Sequence, residues 1–324
     1  LWNYEKYSAP YRKGGRIFYS HNDGLQNQNV LFWQETLDSE SKVLIDPNTL
    51  SEDGTVALSA VVISSDGTKM VYSVSESGSD WVEWRVRDVD SGEDLPDVIK
   101  WSKFSGASWT KDGAGFFYAA YDEPKTEEAF KQSNLNQKLY FHKLGTPQSD
   151  DQLIYKNDDE PKWGFWGEVS DDGKYLVIYI RQGTLRKVNI TLINLKDCDA
   201  DPIDLMTDFQ AIYDYIANEG DTYYFFTDDD ASMNRVIAVD INNPAKENWK
   251  TAIAEQKETL QNVSYVSGKF LCTYLQDAQS VLRVFDNDGT LVDEPDAPKM
   301  GTITGFGGSH KDTDVFFHYA SYAT

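Results

Sequence analysis

The sequence predicts an all-β fold: a seven-bladed β-propeller of four-stranded antiparallel blades whose last blade is incomplete. Three observations predict it. Runs of aromatic and β-branched residues recur at a near-constant interval, each of the first six is followed by a second such run, and Asp-Gly pairs punctuate them.

The first runs begin at Ile17, Met70, Phe116, Tyr175, Tyr223, Phe270 and Val315, spaced 53, 46, 59, 48, 47 and 45 residues apart. That interval suits one small antiparallel sheet per repeat. The second runs begin at Leu31, Trp84, Leu139, Ile190, Val236 and Val281, and several end in an acidic or amide turn, as the third strand of a blade would. Asp-Gly pairs at Asp23, Asp53, Asp66, Asp112, Asp172 and Asp288 supply tight turns, where glycine accepts positive φ without a Cβ clash. The blades are expected at about 10–50, 55–100, 105–156, 163–207, 211–256 and 261–298, with a partial one at 302–324, all within a single propeller domain over 1–324. Residues 246–260 carry helix formers and admit a short helix, but the repeat favours an outer strand near 249–254 with a polar loop after it. Residues 122–137 are polar and read as a long loop or short helix on one blade.

Composition narrows function. With 30 basic against 53 acidic residues the chain carries a formal charge of −23, which repels a phosphate backbone and excludes nucleic acid as a partner. No apolar run reaches the roughly 20 residues a membrane helix needs, so no membrane partner is expected. Cys198 and Cys272 are too few for a disulfide framework and favour a reducing compartment, the cytoplasm. The first residues contain neither a starting Met nor a secretory signal, so the chain is expected to begin inside a longer protein.

Chemistry-bearing motifs are scarce. There is no Gly-x-Ser-x-Gly elbow, no dinucleotide fingerprint and no two-histidine metal spacing, so no cofactor and no metal are expected. His142 and His318 sit in aromatic strand runs and read as packed or surface strand histidines. The carboxylates at 197–201 and 228–230 lack the glycine and terminal glutamate of a calcium loop, and solvated turns explain them better. The sequons at Asn189 and Asn262 are read as chance matches. Nine tryptophans suit the wedges between blades as well as they suit a sugar platform, and the wedge is preferred.

Short segments along the whole chain carry a resemblance. Tyr4–Tyr7 (YEKY), Gly24–Val30 (GLQNQNV), Leu50–Ala57 (LSEDGTVA), Ser77–Trp81 (SGSDW), Leu95–Val98 (LPDV), Gln137–Tyr140 (QKLY), Asp159–Trp163 (DEPKW) and Lys311–Phe316 (KDTDVF) resemble the prolyl oligopeptidases, serine peptidases that join an α/β-hydrolase domain to a seven-bladed propeller. All these matches belong to the propeller. The resemblance implies that this chain filters substrate for a catalytic α/β-hydrolase domain of the same protein. That domain cleaves short peptides after proline and holds the Ser-Asp-His triad, so the chain by itself should be inactive. A self-standing propeller that binds peptides or proteins is the alternative, because the fold alone does not fix a function.

By the same resemblance, Phe104 in Lys103-Phe104-Ser105 corresponds to an aromatic lining the pocket for the residue two before the scissile proline. Arg181 in Ile180-Arg181-Gln182-Gly183 corresponds to a cavity arginine, and Thr184 stands where some members carry a reactive cysteine. Asp80 and Trp81 are further cavity-facing candidates. The residue types alone equally allow a core phenylalanine, a turn aspartate and a packed indole.

Overall fold

The computed structural model describes residues 3–124, 134–197, 200–298 and 301–321. Every first run falls in the second strand of its own sheet: Arg16–Asn22, Lys69–Glu76, Gly115–Ala120, Tyr175–Gln182, Thr222–Thr227, Lys269–Gln276 and Phe316–Ser321. The fourth blade shows why these runs are continuously apolar. Leu176, Val177, Ile178, Tyr179 and Ile180 are all buried because both faces of the strand are covered by neighbouring blades. This strand pairs antiparallel with Trp163–Val169 on its inner side and Val188–Asn194 on its outer side, and Ile203–Met206 completes the blade.

A register shift between the third and fourth strands recurs in all six complete blades, for example at Ile190/Thr191 and Val236/Ile237. An extra residue there bends and twists the strand, so each outer strand turns away from its blade's plane at the same place. In the first blade the innermost strand is split into Lys6–Tyr7 and Tyr11–Lys13, both on Arg16–Asn22. Pro10, which has no N–H to donate to a ladder, lies in the gap.

Six blades form rather than seven. Six blades are complete, and the seventh place holds a two-stranded sheet, Gly301–Gly307 with Phe316–Ser321. Residues 302–324 span about half a repeat, which holds two strands and their connection. The stretch at 246–260 contains no α-helix: a three-residue 3₁₀ turn, Lys246–Asn248, leads into the strand Lys250–Ile253. Residues 125–133 of the polar stretch, and Cys198 and Asp199 of the acidic one, lie outside the described residues.

The core consists of wedges between blades. Trp33 packs with Met70 and Tyr72, Trp84 with Phe116, Phe117 with Phe165, Tyr179 with Tyr213, Tyr224 with Phe270, and Val284 with Ile303. Each such side chain contributes about 1.5–3 kcal/mol when fully buried, so each wedge is a substantial apolar joint. No buried apolar cluster among the described residues spans the remaining junction, from the seventh sheet back to the first blade. That junction holds an ion pair, Arg12 Nη2 to Asp314 Oδ2 at 2.7 Å, with the guanidinium 5.6 Å from the Phe316 ring centre.

His142 is fully buried in the third strand of blade 3, with Nδ1 2.7 Å from Asp151 and Nε2 3.0 Å from Asp97 in the outer strand of blade 2. Asn189 is buried, and its amide oxygen accepts from the Phe209 N–H at 2.8 Å.

Candidate functional site

The innermost strands surround a central channel. Turns joining first to second strands gather at one end, here the lower; the second-to-third connections and the links between blades gather at the upper end. Lower turns approach each other closely: a Cβ on Gly14 (φ +57) would lie 1.8 Å from the Asp66 carbonyl oxygen, so only glycine fits there. A cavity of about 1140 Å³ at this end is lined by Lys13, Lys111, Asp171, Glu219, His310 and Lys311, among others.

Deeper in the channel, Glu168 of blade 4 accepts from the Tyr179 hydroxyl at 3.1 Å. Its carboxyl is pushed up to about 7, chiefly because protein hems it in and withdraws bulk water, with Asp171 and Asp214 adding to the effect. Glu168 nonetheless borders the lumen, and its surface remains exposed there.

Four of the five residues singled out from sequence meet at the upper end. Phe104 sits on the link between blades 2 and 3, with φ +53 and its side chain 46% exposed. Arg181, at the end of the second strand of blade 4, donates from Nη2 to the Phe104 carbonyl at 2.8 Å. Its guanidinium carbon stands 5.7 Å from the Trp166 ring centre. Gly164, directly opposite in the ladder, makes room for it: a Cβ there would lie 3.0 Å from Arg181 Nε. Asp80 and Trp81 come from the second-to-third turn of blade 2. Trp81 meets Trp101 and Tyr121 edge-on, at centroid distances of 6.0 and 5.9 Å. Thr184, exposed on the turn after Arg181, stands outside the contacts that join the other four.

Lys103 links the two halves of this cup, a role that its place beside Phe104 in the matched segment does not reveal. Its ammonium lies 5.1 Å from the Trp81 ring centre, 5.2 Å from that of Phe104 and 3.7 Å from Asp80 Oδ2. Buried Gln137 donates to the Lys103 carbonyl at 2.9 Å and accepts from the Phe165 N–H at 2.7 Å, tying blades 2, 3 and 4 together below the cup. Trp101 and Phe104 both have left-handed backbone (φ +60 and +53), a conformation costing on the order of 1 kcal/mol or more for a bulky side chain. Trp101 lies within the outer strand of blade 2, Asp94–Lys103, where its carbonyl accepts from the Tyr121 N–H at 2.9 Å, and Phe104 lies on the exposed link after it, held by the Arg181 bond to its carbonyl.

The cup offers an open aromatic ring, carbonyl-anchored guanidinium and a carboxylate. It can bind and orient an extended polar chain with an apolar side group, but none of these groups is a nucleophile with a paired base. His142 cannot serve as that base, since both its ring nitrogens are engaged by carboxylates. Among the described residues no group of three or more histidine, cysteine or acidic side chains is placed to hold a metal.

Known proteins share this architecture over the full chain. The family model described as prolyl oligopeptidase, N-terminal beta-propeller domain, matches residues 1–324. The chain is 38% identical over 326 residues to a prolyl endopeptidase of Elizabethkingia meningoseptica, covering 100% of this chain and 45% of that protein. It is 33% identical over 318 residues to prolyl oligopeptidase A of Galerina marginata, covering 89% and 43%. A solved structure from a structural and mechanistic analysis of two prolyl endopeptidases superposes with a TM-score of 0.89 at 31% identity, covering 99% of this chain and 46% of that one. Ligand-free prolyl oligopeptidase B from Galerina marginata gives 0.86 at 28%, covering 98% and 47%. The chain thus spans less than half the length of these relatives.

Proposed function

The chain belongs to the prolyl oligopeptidase family as its N-terminal β-propeller domain, and from that premise we propose that it admits and orients substrate for an α/β-hydrolase catalytic domain of the same protein, which cleaves short peptides after proline. The observation that carries this reading is the upper cup, where the Arg181 guanidinium is anchored on the Phe104 carbonyl beside an open Phe104 ring. Such a pairing suits an extended peptide, with the ring taking an apolar side chain and the guanidinium a backbone carbonyl. Exposed apolar side chains distributed over the same end, Leu25, Leu185, Met233 and Leu275, suit a domain seated there. Close packing of the lower turns supports a channel that passes chains and turns away folded proteins. A reducing compartment such as the cytoplasm accords with Cys272, a buried thiol pushed up to about 12 by desolvation and therefore inert.

The test uses the intact protein. It should cleave a short proline-containing reporter and leave the same sequence uncut when that sequence is held in a loop of a folded carrier. Residues 1–324 alone should cleave neither. Equal cleavage of reporter and carrier would remove the filter, and no cleavage of either would remove the peptidase reading.

A further inference from the structure

Lys103 occupies an unusual position for a lysine in a chain this acidic. Its side chain is only 13% exposed, whereas Asp80, its carboxylate neighbour, is 63% exposed. The ammonium therefore rests mainly against the Trp81 and Phe104 rings, where the negative ring face attracts a cation and more so where water is withdrawn. Those two aromatics come from different connections of the propeller, and both bear on the proposed peptide path. The backbone of Lys103 is fixed from below by Gln137, and its largely enclosed side chain lays the ammonium against the two rings.

We propose that Lys103 is a positioning residue of the cup: its ammonium holds the Phe104 and Trp81 rings in register, and so sets how well the protein grips peptides long enough to reach Phe104. The inference rests on the peptidase reading above. It does not require Lys103 to touch substrate. The lysine acts through the orientation of Phe104, whose backbone is left-handed and whose ring is nearly half exposed. Selectivity for longer peptides then depends on a charge that a merely space-filling side chain would not replace.

The experiment compares two reporters with the same proline and leaving group in the intact protein, one ending at the residue before proline and one extended far enough upstream to pass Phe104. The quantity read is the ratio of kcat/KM for the extended reporter to that for the short one. Lys103→Met keeps the length and apolar stem of the side chain while removing its charge, and should lower this ratio about fivefold through the KM of the extended reporter. Lys103→Arg, which retains a cation over the rings, should restore it to within about twofold. If Lys103→Met does not fold, as judged by circular dichroism, Lys103→Gln supplies the same loss of charge with a polar tip.

An unchanged ratio in the uncharged variant overturns the proposal. So does a loss shared equally by both reporters, which marks a general structural role, and so does a loss that Lys103→Arg fails to restore. If the wild-type protein cleaves neither reporter, the peptidase reading falls and this inference falls with it; normal cleavage with an unmoved ratio overturns the inference alone.

Discussion

Arg12 of the first blade reaches Asp314 of the seventh sheet at 2.7 Å, joining residues 302 positions apart in the chain. Six other junctions around the ring are closed by buried apolar wedges, whereas this one holds a partly exposed ion pair, a cation beside an aromatic ring and a long bond from the Ser309 hydroxyl to the Arg12 carbonyl. Local stability should therefore be lowest here.

Amide hydrogen exchange tests that directly. In residues 1–324, the innermost strand of blade 1 at Tyr11–Lys13 should exchange faster than its counterpart in blade 4, Trp163–Val169. Arg12→Leu should accelerate it further while leaving blade 4 unchanged, and raised salt should mimic the substitution because the pair is screened. Uniform exchange across both strands would count against a weak junction.

The second prediction concerns His142. An imidazole with one N–H can donate to only one of its two carboxylate neighbours, while the protonated ring satisfies both Asp97 and Asp151. Burial by itself would push the imidazole down, but the hydrogen bonds and charges of Asp151 and Asp97 outweigh it and hold the group above its ordinary 6.5. A basic group raised in the folded state contributes stability that is complete below the unfolded value and is lost as pH rises through the folded one. The melting temperature should therefore fall as pH rises above about 6.5, and the fall should be absent in His142→Gln. His142→Ala should cost about 3–5 kcal/mol near pH 6, since it leaves two buried carboxylates without the cation they share, with only the Gly145 N–H on Asp97 and the Tyr118 hydroxyl on Asp151 as donors.

Glu168 gives a pH dependence of different origin. Its folded carboxyl titrates at about 7 against an ordinary 4.5, so between those values the unfolded state has released a proton that the folded state retains. Stability due to this group falls across that interval as pH rises. Glu168→Gln should leave stability unchanged near pH 4 and raise it by about 1 kcal/mol at pH 8, the full shift being discounted because the side chain borders lumen water. Chemical denaturation at the two pH values measures the difference; equal effects at both would contradict it.

Phe104→Ala and Arg181→Ala in the intact protein test the cup. Because Phe104 is half exposed, its truncation should leave the melting temperature almost unchanged and raise the KM of an extended peptide about fivefold, equivalent to about 1 kcal/mol of lost apolar contact. kcat should change less, since such contact is nearly the same in ground and transition states. Arg181→Ala should weaken peptides with an acidic or carbonyl-rich upstream segment more than neutral blocked ones, with the gap narrowing in salt. An unchanged KM in both variants would remove the two residues from the site.

Much of the fold was legible because a blade's second strand is covered on both faces. Runs such as Tyr175–Ile180 and Phe116–Ala120 therefore stand out with no polar alternation, and their spacing reveals the repeat. Incompleteness of the last blade was legible because the run at Val315 has no second run after it, but how many strands the remnant holds was not; its sheet contains two. Lys250–Ile253 competed with a helix because outer strands are short and half exposed, so helix formers are tolerated there. Within the cup, the convergence of Asp80, Trp81, Phe104 and Arg181 could be anticipated only through family resemblance, as they lie on separate connections. Lys103 and Gln137 stand within matched segments, but their roles were not legible because they arise through space: one ammonium between two rings, one amide between two strands.

The lower turns also bear on how the protein ages. Asp-Gly is prone to cyclise to a succinimide and then to isoaspartate, because the glycine amide nitrogen is sterically free to attack the aspartyl side-chain carbon. Here that nitrogen is occupied: Gly67, Gly113 and Gly173 donate to the carbonyls of Ser64, Thr110 and Ser170 at 2.9, 3.0 and 2.8 Å. The facing carboxylates are occupied too; Asp112 accepts from the Thr110 hydroxyl and the Ala114 N–H, which hold it ionised and below its ordinary range. Succinimide formation needs both partners released, and so needs the turn to open. Isoaspartate at Asp66, Asp112 and Asp172 should accordingly accumulate with the number of times their blades have opened rather than with time elapsed, a chemical record of unfolding written into the repeat.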